Sequence, residues 1–116
     1  MINRVHRFHG YGSLARVYRR SSAARGSGVS VRFAARSAGQ PARAAVVVSK
    51  KVSKSAVTRN RIRRRIYEAV RVQWQPAAPV DLIFTVFDGQ LAELPTGQLH
   101  QEVANLLQKA GQTGIE

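Results

Sequence analysis

Residues 44–71 read AAVVVSKKVSKSAVTRNRIRRRIYEAVR. The stretch changes period halfway. Residues 44–49 are small or β-branched and apolar on both faces, the pattern of a strand in a sheet interior. From residue 55 the apolar positions follow a helical repeat. At about 100° per residue, Ile62, Ile66, Ala69, Val70 and, more loosely, Trp74 fall on one stripe. Asn60, Arg61, Arg64 and Arg71 lie opposite it, and Arg59 and Arg63 flank it. Ser55 or Thr58 can cap the start of this helix.

The neighbouring segments extend this strand–helix unit in both directions. QPAAP (75–79) breaks the helix, because proline cannot continue it. VDLIFTVF (80–87) reads as a second apolar strand, ended by Asp88 and Gly89. Upstream, VSVRFAAR (29–36) alternates with the period of a half-buried strand, and SAGQP (37–41) is a turn. The short turn predicts that strands 29–36 and 44–49 pair antiparallel. Residues 21–28 read as a turn or a short irregular edge strand. Ser13 can cap a short first helix with Leu14, Val17 and Tyr18 on one face. Thr96 is placed as the cap of a last helix carrying Leu99, Val103, Leu106, Leu107 and Ala110, which Gly111 can close. Residues 1–12 form a basic arm and 112–116 a flexible tail of a single domain, 1–116. The order gives one sheet with helices packed against it, α+β or α/β, with a βαβ crossover through the basic helix.

Charge narrows the function. The chain has 116 residues and a net charge of +13. Residues 1–72 carry +17 and residues 73–116 carry −4, which points to a polyanion. There is no cysteine, so neither disulfides nor cysteine–zinc sites arise. No apolar run approaches the roughly 18 residues of a membrane span. The start lacks a signal-peptide core, and a mature cytoplasmic protein is expected.

Six arginines fall between residues 55 and 71, with Glu68 the only acid. A solvated helix face ordinarily mixes signs, because like charges at i, i+4 destabilise by about 0.2–0.5 kcal/mol. Arg59/Arg63 and Arg61/Arg65 are such pairs, and Lys50, Lys51 and Lys54 add to the repulsion. Phosphate binding accounts for this pattern and a neutral solvated face does not. A DNA-reading helix must enter the major groove, whereas this one has a stripe that docks on a sheet. An exposed arginine face on a docked helix suits structured RNA better. No active site emerges. His6, His9 and His100 have no carboxylate partner evident in sequence, and a structural role fits each better than a general acid. Asp81 and Asp88 flank a strand and read as strand ends rather than metal ligands. There is no phosphate-binding glycine loop.

Residues 46–71 resemble the signature of the bacterial ribonuclease P protein component: a strand, Ser49-Lys50-Lys51, a short loop, then Arg59-Asn60-Arg61 with Arg63 and Arg64 opening a helix. Ser53 and Lys54 stand where the family usually has glycine and asparagine. The resemblance implies an α+β fold with a mostly antiparallel four-stranded sheet, in the order αβββαβα, with a left-handed βαβ crossover. It implies a protein subunit that binds a catalytic RNA and the 5′ leader of precursor tRNA. The RNA, with Mg2+ held mainly by itself, removes the leader. No membrane is involved and no protein partner is required. The RNA-binding residues implied are Lys50, Lys51, Lys54, Arg59, Asn60, Arg61, Arg63, Arg64 and Arg65. Those of the leader cleft are Leu14, Tyr18 and Arg32. Leu14 replaces the family's usual phenylalanine. Tyr18 fits ordinary core packing equally well, and Arg32 a solvated strand face. The alternatives are a structural RNA-binding protein, such as a ribosomal one, and a metal-dependent nuclease.

Overall fold

A computed structural model describes residues 22–35, 42–74 and 80–110. Four strands form one sheet: β1 (Ser22–Arg25), β2 (Val29–Ala35), β3 (Arg43–Val48) and β4 (Val80–Val86). Two helices, α1 (Ala56–Gln73) and α2 (Thr96–Lys109), and a short 3-10 helix (Gly89–Ala92) complete the described elements. Several expected features lie outside the described residues. They are the basic arm with His6 and His9, the first helix with Leu14, Val17 and Tyr18, the turn 37–41, the QPAAP segment, Gly111 and the tail.

The sheet is mixed, with strand order β1-β2-β4-β3. β1 pairs antiparallel with β2, β2 antiparallel with β4, and β3 parallel with β4. This corrects the expected pairing of strands 29–36 and 44–49: β4 lies between them. β4 takes the interior and is the more completely buried strand, with six of its seven residues buried. β3, expected in the interior, is an edge strand. It is largely buried all the same, and its Val46 N–H donates to the Tyr67 hydroxyl of α1 at 3.3 Å. Parallel β3 and β4 are joined through α1, which is the expected βαβ unit.

The register sorts the side chains into two faces. Val29, Val31, Val46, Val48, Leu82, Phe84 and Val86 meet the helices in one core. α1 contributes Ile62, Ile66, Tyr67, Ala69 and Val70, and α2 contributes Leu99, Val103, Leu106 and Leu107. Each such large side chain stabilises by about 1.5–3 kcal/mol when fully buried. The second face carries Ser30, Arg32 and Ala34 of β2, Arg43, Ala45 and Val47 of β3, and Asp81, Ile83 and Thr85 of β4.

The helix ends follow the sequence unevenly. Ser55 is the N-cap of α1, its side chain accepting from the Thr58 N–H at 3.2 Å. Trp74 closes α1 at its C-terminus. In α2 the expected cap fails: Pro95 is the N-cap, Thr96 is already helical, and no side chain caps that end. Asp88 does not simply end β4. It caps the 3-10 helix, accepting from the Gln90 N–H at 2.9 Å.

Candidate nucleic-acid interface

The basic surface is built where β3 leaves the sheet and α1 begins. A turn closed by the Val52 N–H on the Ser49 carbonyl (3.1 Å) exposes Lys50 and Lys51. Gly89 fixes where this turn lies, since a Cβ there would come within 3.0 Å of the Val52 carbonyl oxygen. Ser53 then accepts twice. Its hydroxyl receives the Ser55 N–H at 3.2 Å, and its carbonyl receives Arg59 Nη1 at 2.9 Å. The loop before α1 is thus tied to the helix's own first turns.

That helix start is electrostatically one-sided. The first turn of α1 holds no acid, so nothing offsets the partial positive charge of its N-terminus. Lys54, Asn60, Arg61 and Arg64 are exposed, and Arg59 and Arg63 are half-buried. Arg63 donates to the Asn60 side-chain oxygen, which fixes the orientation of that amide. Val57, 77% exposed, lies one turn before Asn60 and Arg61 and adds an apolar spot to the cationic face. Two carboxylates approach the arginines of α1. Glu93 is 4.0 Å from Arg61 with both partners exposed, a pair worth about 0–1 kcal/mol. Glu68 accepts from Arg71 at the far end of the helix, and that hydrogen bond holds its carboxyl below the ordinary 4.5.

Arg65 is set apart from this surface. Its guanidinium is turned toward the 3-10 segment, donating to the Leu91 carbonyl at 2.7 Å and to the Leu94 carbonyl. These bonds tie α1 to the chain entering α2. The helical wheel could not show them, because the acceptors lie 26 and 29 residues away.

The second face of the sheet holds a buried ion pair. Arg43 Nε and Nη2 donate to the two carboxylate oxygens of Asp81 at 3.0 and 3.1 Å. Their side chains are 17% and 2% exposed. The parallel register places them opposite each other. Asp81 is therefore neither a strand end nor a free carboxylate. It lies inside β4, where burial demands a partner, and Arg43 supplies one. Arg32 is half-buried in central β2, opposite Ile83 of β4, on the same face. The expected cleft partners Leu14 and Tyr18 lie outside the described residues.

His100 is half-buried in α2, beside a cleft of about 360 Å3 that Arg64, Arg65, Glu68, Thr96 and Leu99 also line. The Glu68 carboxylate is held by Arg71. Among the described residues, no three of His, Asp and Glu are grouped so as to hold a metal ion. No described helix is long and apolar enough to cross a membrane.

Fold and charge together define a class: a small α+β protein whose sheet-docked helix turns a cationic, nearly uncompensated face outward, the form of a protein that binds structured RNA. The ribonuclease P family model matches residues 2–111. The chain belongs to that family. It is 35% identical over 118 residues to the ribonuclease P protein component of Gluconacetobacter diazotrophicus, across the full length of both. It is 44% identical over 70 residues to that of Roseiflexus castenholzii, covering 60% of this chain and 57% of the relative. A second Roseiflexus relative is matched over 47% of its length, so the chain spans about half the length of these two. The fold is similar to that of the Staphylococcus aureus RNase P protein, with a TM-score of 0.79 at 22% identity. That likeness covers 94% of this chain and 98% of the other.

Proposed function

We propose that this chain is the protein subunit of a bacterial ribonuclease P holoenzyme, acting with a catalytic RNA to remove the 5′ leader of precursor tRNA in the cytoplasm. The observation that carries the reading is the outward face of α1. There Asn60, Arg61 and Arg64 stand exposed beside Lys50, Lys51 and Lys54, with Glu93 4.0 Å from Arg61 and Glu68 bonded to Arg71. Folding gains nothing from such a face, but RNA phosphates that meet it release counterions and relieve its self-repulsion. Arg59 and Arg63 shape the face from its flanks, and Arg63 orients the Asn60 amide.

The division of labour follows from the chemistry. The protein supplies positive charge and position. Magnesium, which the RNA rather than this chain would mainly hold, would supply Lewis-acid chemistry to the hydrolysis when bound. The second sheet face, with Arg32, receives the leader, and the family resemblance also assigns Leu14 and Tyr18 to leader binding. No protein partner is needed for cleavage.

Reconstitution tests this reading. Purified protein alone should leave precursor tRNA intact at all magnesium concentrations. Adding a bacterial ribonuclease P RNA should give 5′ processing. The protein's effect should be greatest at low magnesium, where its cations substitute for screening ions. Cleavage by RNA-free protein would instead establish a protein nuclease. A protein that binds RNA without aiding cleavage would be a structural RNA-binding protein.

A further inference from the structure

Phe87, 39% exposed, is the most exposed aromatic ring among the described residues, and it belongs to neither the core nor the arginine face. Its N–H donates to the Gly28 carbonyl at 3.0 Å, carrying the β2–β4 pairing one step beyond Val86. Asp81, Ile83 and Thr85 point to the second face of the sheet, and Phe87 continues that alternation. Arg25, exposed at the end of β1, lies opposite Ser30 on the same face. Its guanidinium carbon stands 4.1 Å from the centre of the Phe87 ring, a stacked cation–π pair.

Two features give this pair a setting. The second face opens along β4: Asp81 is 1% exposed and Ile83 0%, Thr85 is half-buried, and Phe87 is exposed. The open end is also the end where the lysines leave the sheet. β3 runs parallel to β4 with Val48 opposite Val86, so Ser49, Lys50 and Lys51 emerge beside Phe87. Gly89 packs directly against that turn. A planar ring and a planar guanidinium thus stand between a sheet face and a pair of exposed ammonium groups. A base stacks on either plane, and cations alongside meet its phosphate. Pinning the β1–β2 hairpin to β4 would require the contact but not its exposure beside cations.

We infer that Arg25 and Phe87 form a stacking platform for one unpaired nucleotide of the 5′ leader, at the open end of the sheet face, with Lys50 and Lys51 meeting the adjoining phosphate. The inference rests on the subunit reading above and adds a residue pair to the leader path.

The test uses holoenzyme reconstituted with a bacterial ribonuclease P RNA. Affinities are measured for precursor tRNA with a long leader and for mature tRNA, together with the melting temperature of each protein. Phe87→Leu keeps apolar bulk and removes the ring. It should weaken binding of the precursor by about tenfold, in the range of one lost stack, and leave mature tRNA unchanged. Phe87→Trp should bind the precursor at least as tightly as the parent, and Arg25→Gln should weaken it by less than Phe87→Leu. Unchanged precursor affinity in Phe87→Leu, or equal losses for both RNAs, overturns the platform. If Phe87→Leu melts well below the parent, Phe87→Trp decides: retained leader preference supports the platform and lost preference overturns it. A parent holoenzyme that shows no leader preference at all would overturn the subunit reading, and the platform with it.

Discussion

Helix α1 buries Ile62, Ile66, Tyr67, Ala69 and Val70, and helix α2 buries Leu99, Val103, Leu106 and Leu107, in the same core. Their outer faces differ. α2 exposes Gln98, Gln101, Asn105 and Gln108, neutral amides, and Gln101 and Asn105 bond each other at 2.9 Å. Its charged groups are tied to the β1–β2 hairpin: Glu102 accepts the Ser27 N–H at 3.0 Å and Lys109 donates to the Arg25 carbonyl at 3.3 Å. α1 exposes Asn60, Arg61 and Arg64 next to a lysine turn. Docking needs only one stripe of a helix, so the opposite face is open to selection for something else. In α2 that face bonds within the helix and to the β1–β2 hairpin. In α1 it is the face we propose for a polyanion.

Arg65 offers the largest test of this contrast, because it sits on α1 yet serves the fold. Arg65→Ala removes charge-assisted hydrogen bonds to the Leu91 and Leu94 carbonyls and should lower unfolding free energy by about 1.5–3 kcal/mol. Denaturant titration reads the loss. The salt dependence of RNA binding should barely change. A stable variant with weakened salt dependence would place Arg65 in the RNA interface instead.

The smallest effect belongs to Glu68, the acid of α1, which Arg71 binds at the surface. Its carboxyl is held below the ordinary 4.5 chiefly by the Arg71 hydrogen bond. A lowered value means that any stabilisation is present above 4.5 and is lost as pH falls through the depressed value. Glu68→Gln should therefore leave the melting temperature near neutrality almost unchanged and flatten the acid limb of the stability profile. A clear drop at neutral pH would show a structural role that its exposure does not suggest.

The sequence was legible where periodicity carries the signal. The stripe Ile62, Ile66, Ala69, Val70 and Trp74 is buried as its spacing predicts, and Ser55 caps the helix. Strand order was not legible, because alternation in 29–35 shows which face is buried and not which strand is the neighbour. The same blindness hid Tyr67 as the partner of an edge-strand N–H and Arg43 as the partner of Asp81, 38 residues away. For the site, residue type identified the cationic helix. Arg65 shows the limit: its position on the helix resembles that of its neighbours, and only the tertiary placement of two carbonyls separates it from them. Phe87 read as the last residue of an apolar strand, and nothing local marked it as exposed beside Arg25.

The account turns on the outer face of α1 meeting RNA phosphates. The direct measurement is the affinity of the protein for a bacterial ribonuclease P RNA across a salt series, for the parent and for Arg59→Gln, Arg61→Gln and Arg64→Gln. Arg61→Gln and Arg64→Gln should leave the melting temperature near the parent's, Arg59→Gln should lower it by removing the bond to the Ser53 carbonyl, and each should reduce the slope of log affinity against log salt by about one. Slopes equal to the parent's in all three variants would contradict the claim that this face binds the RNA.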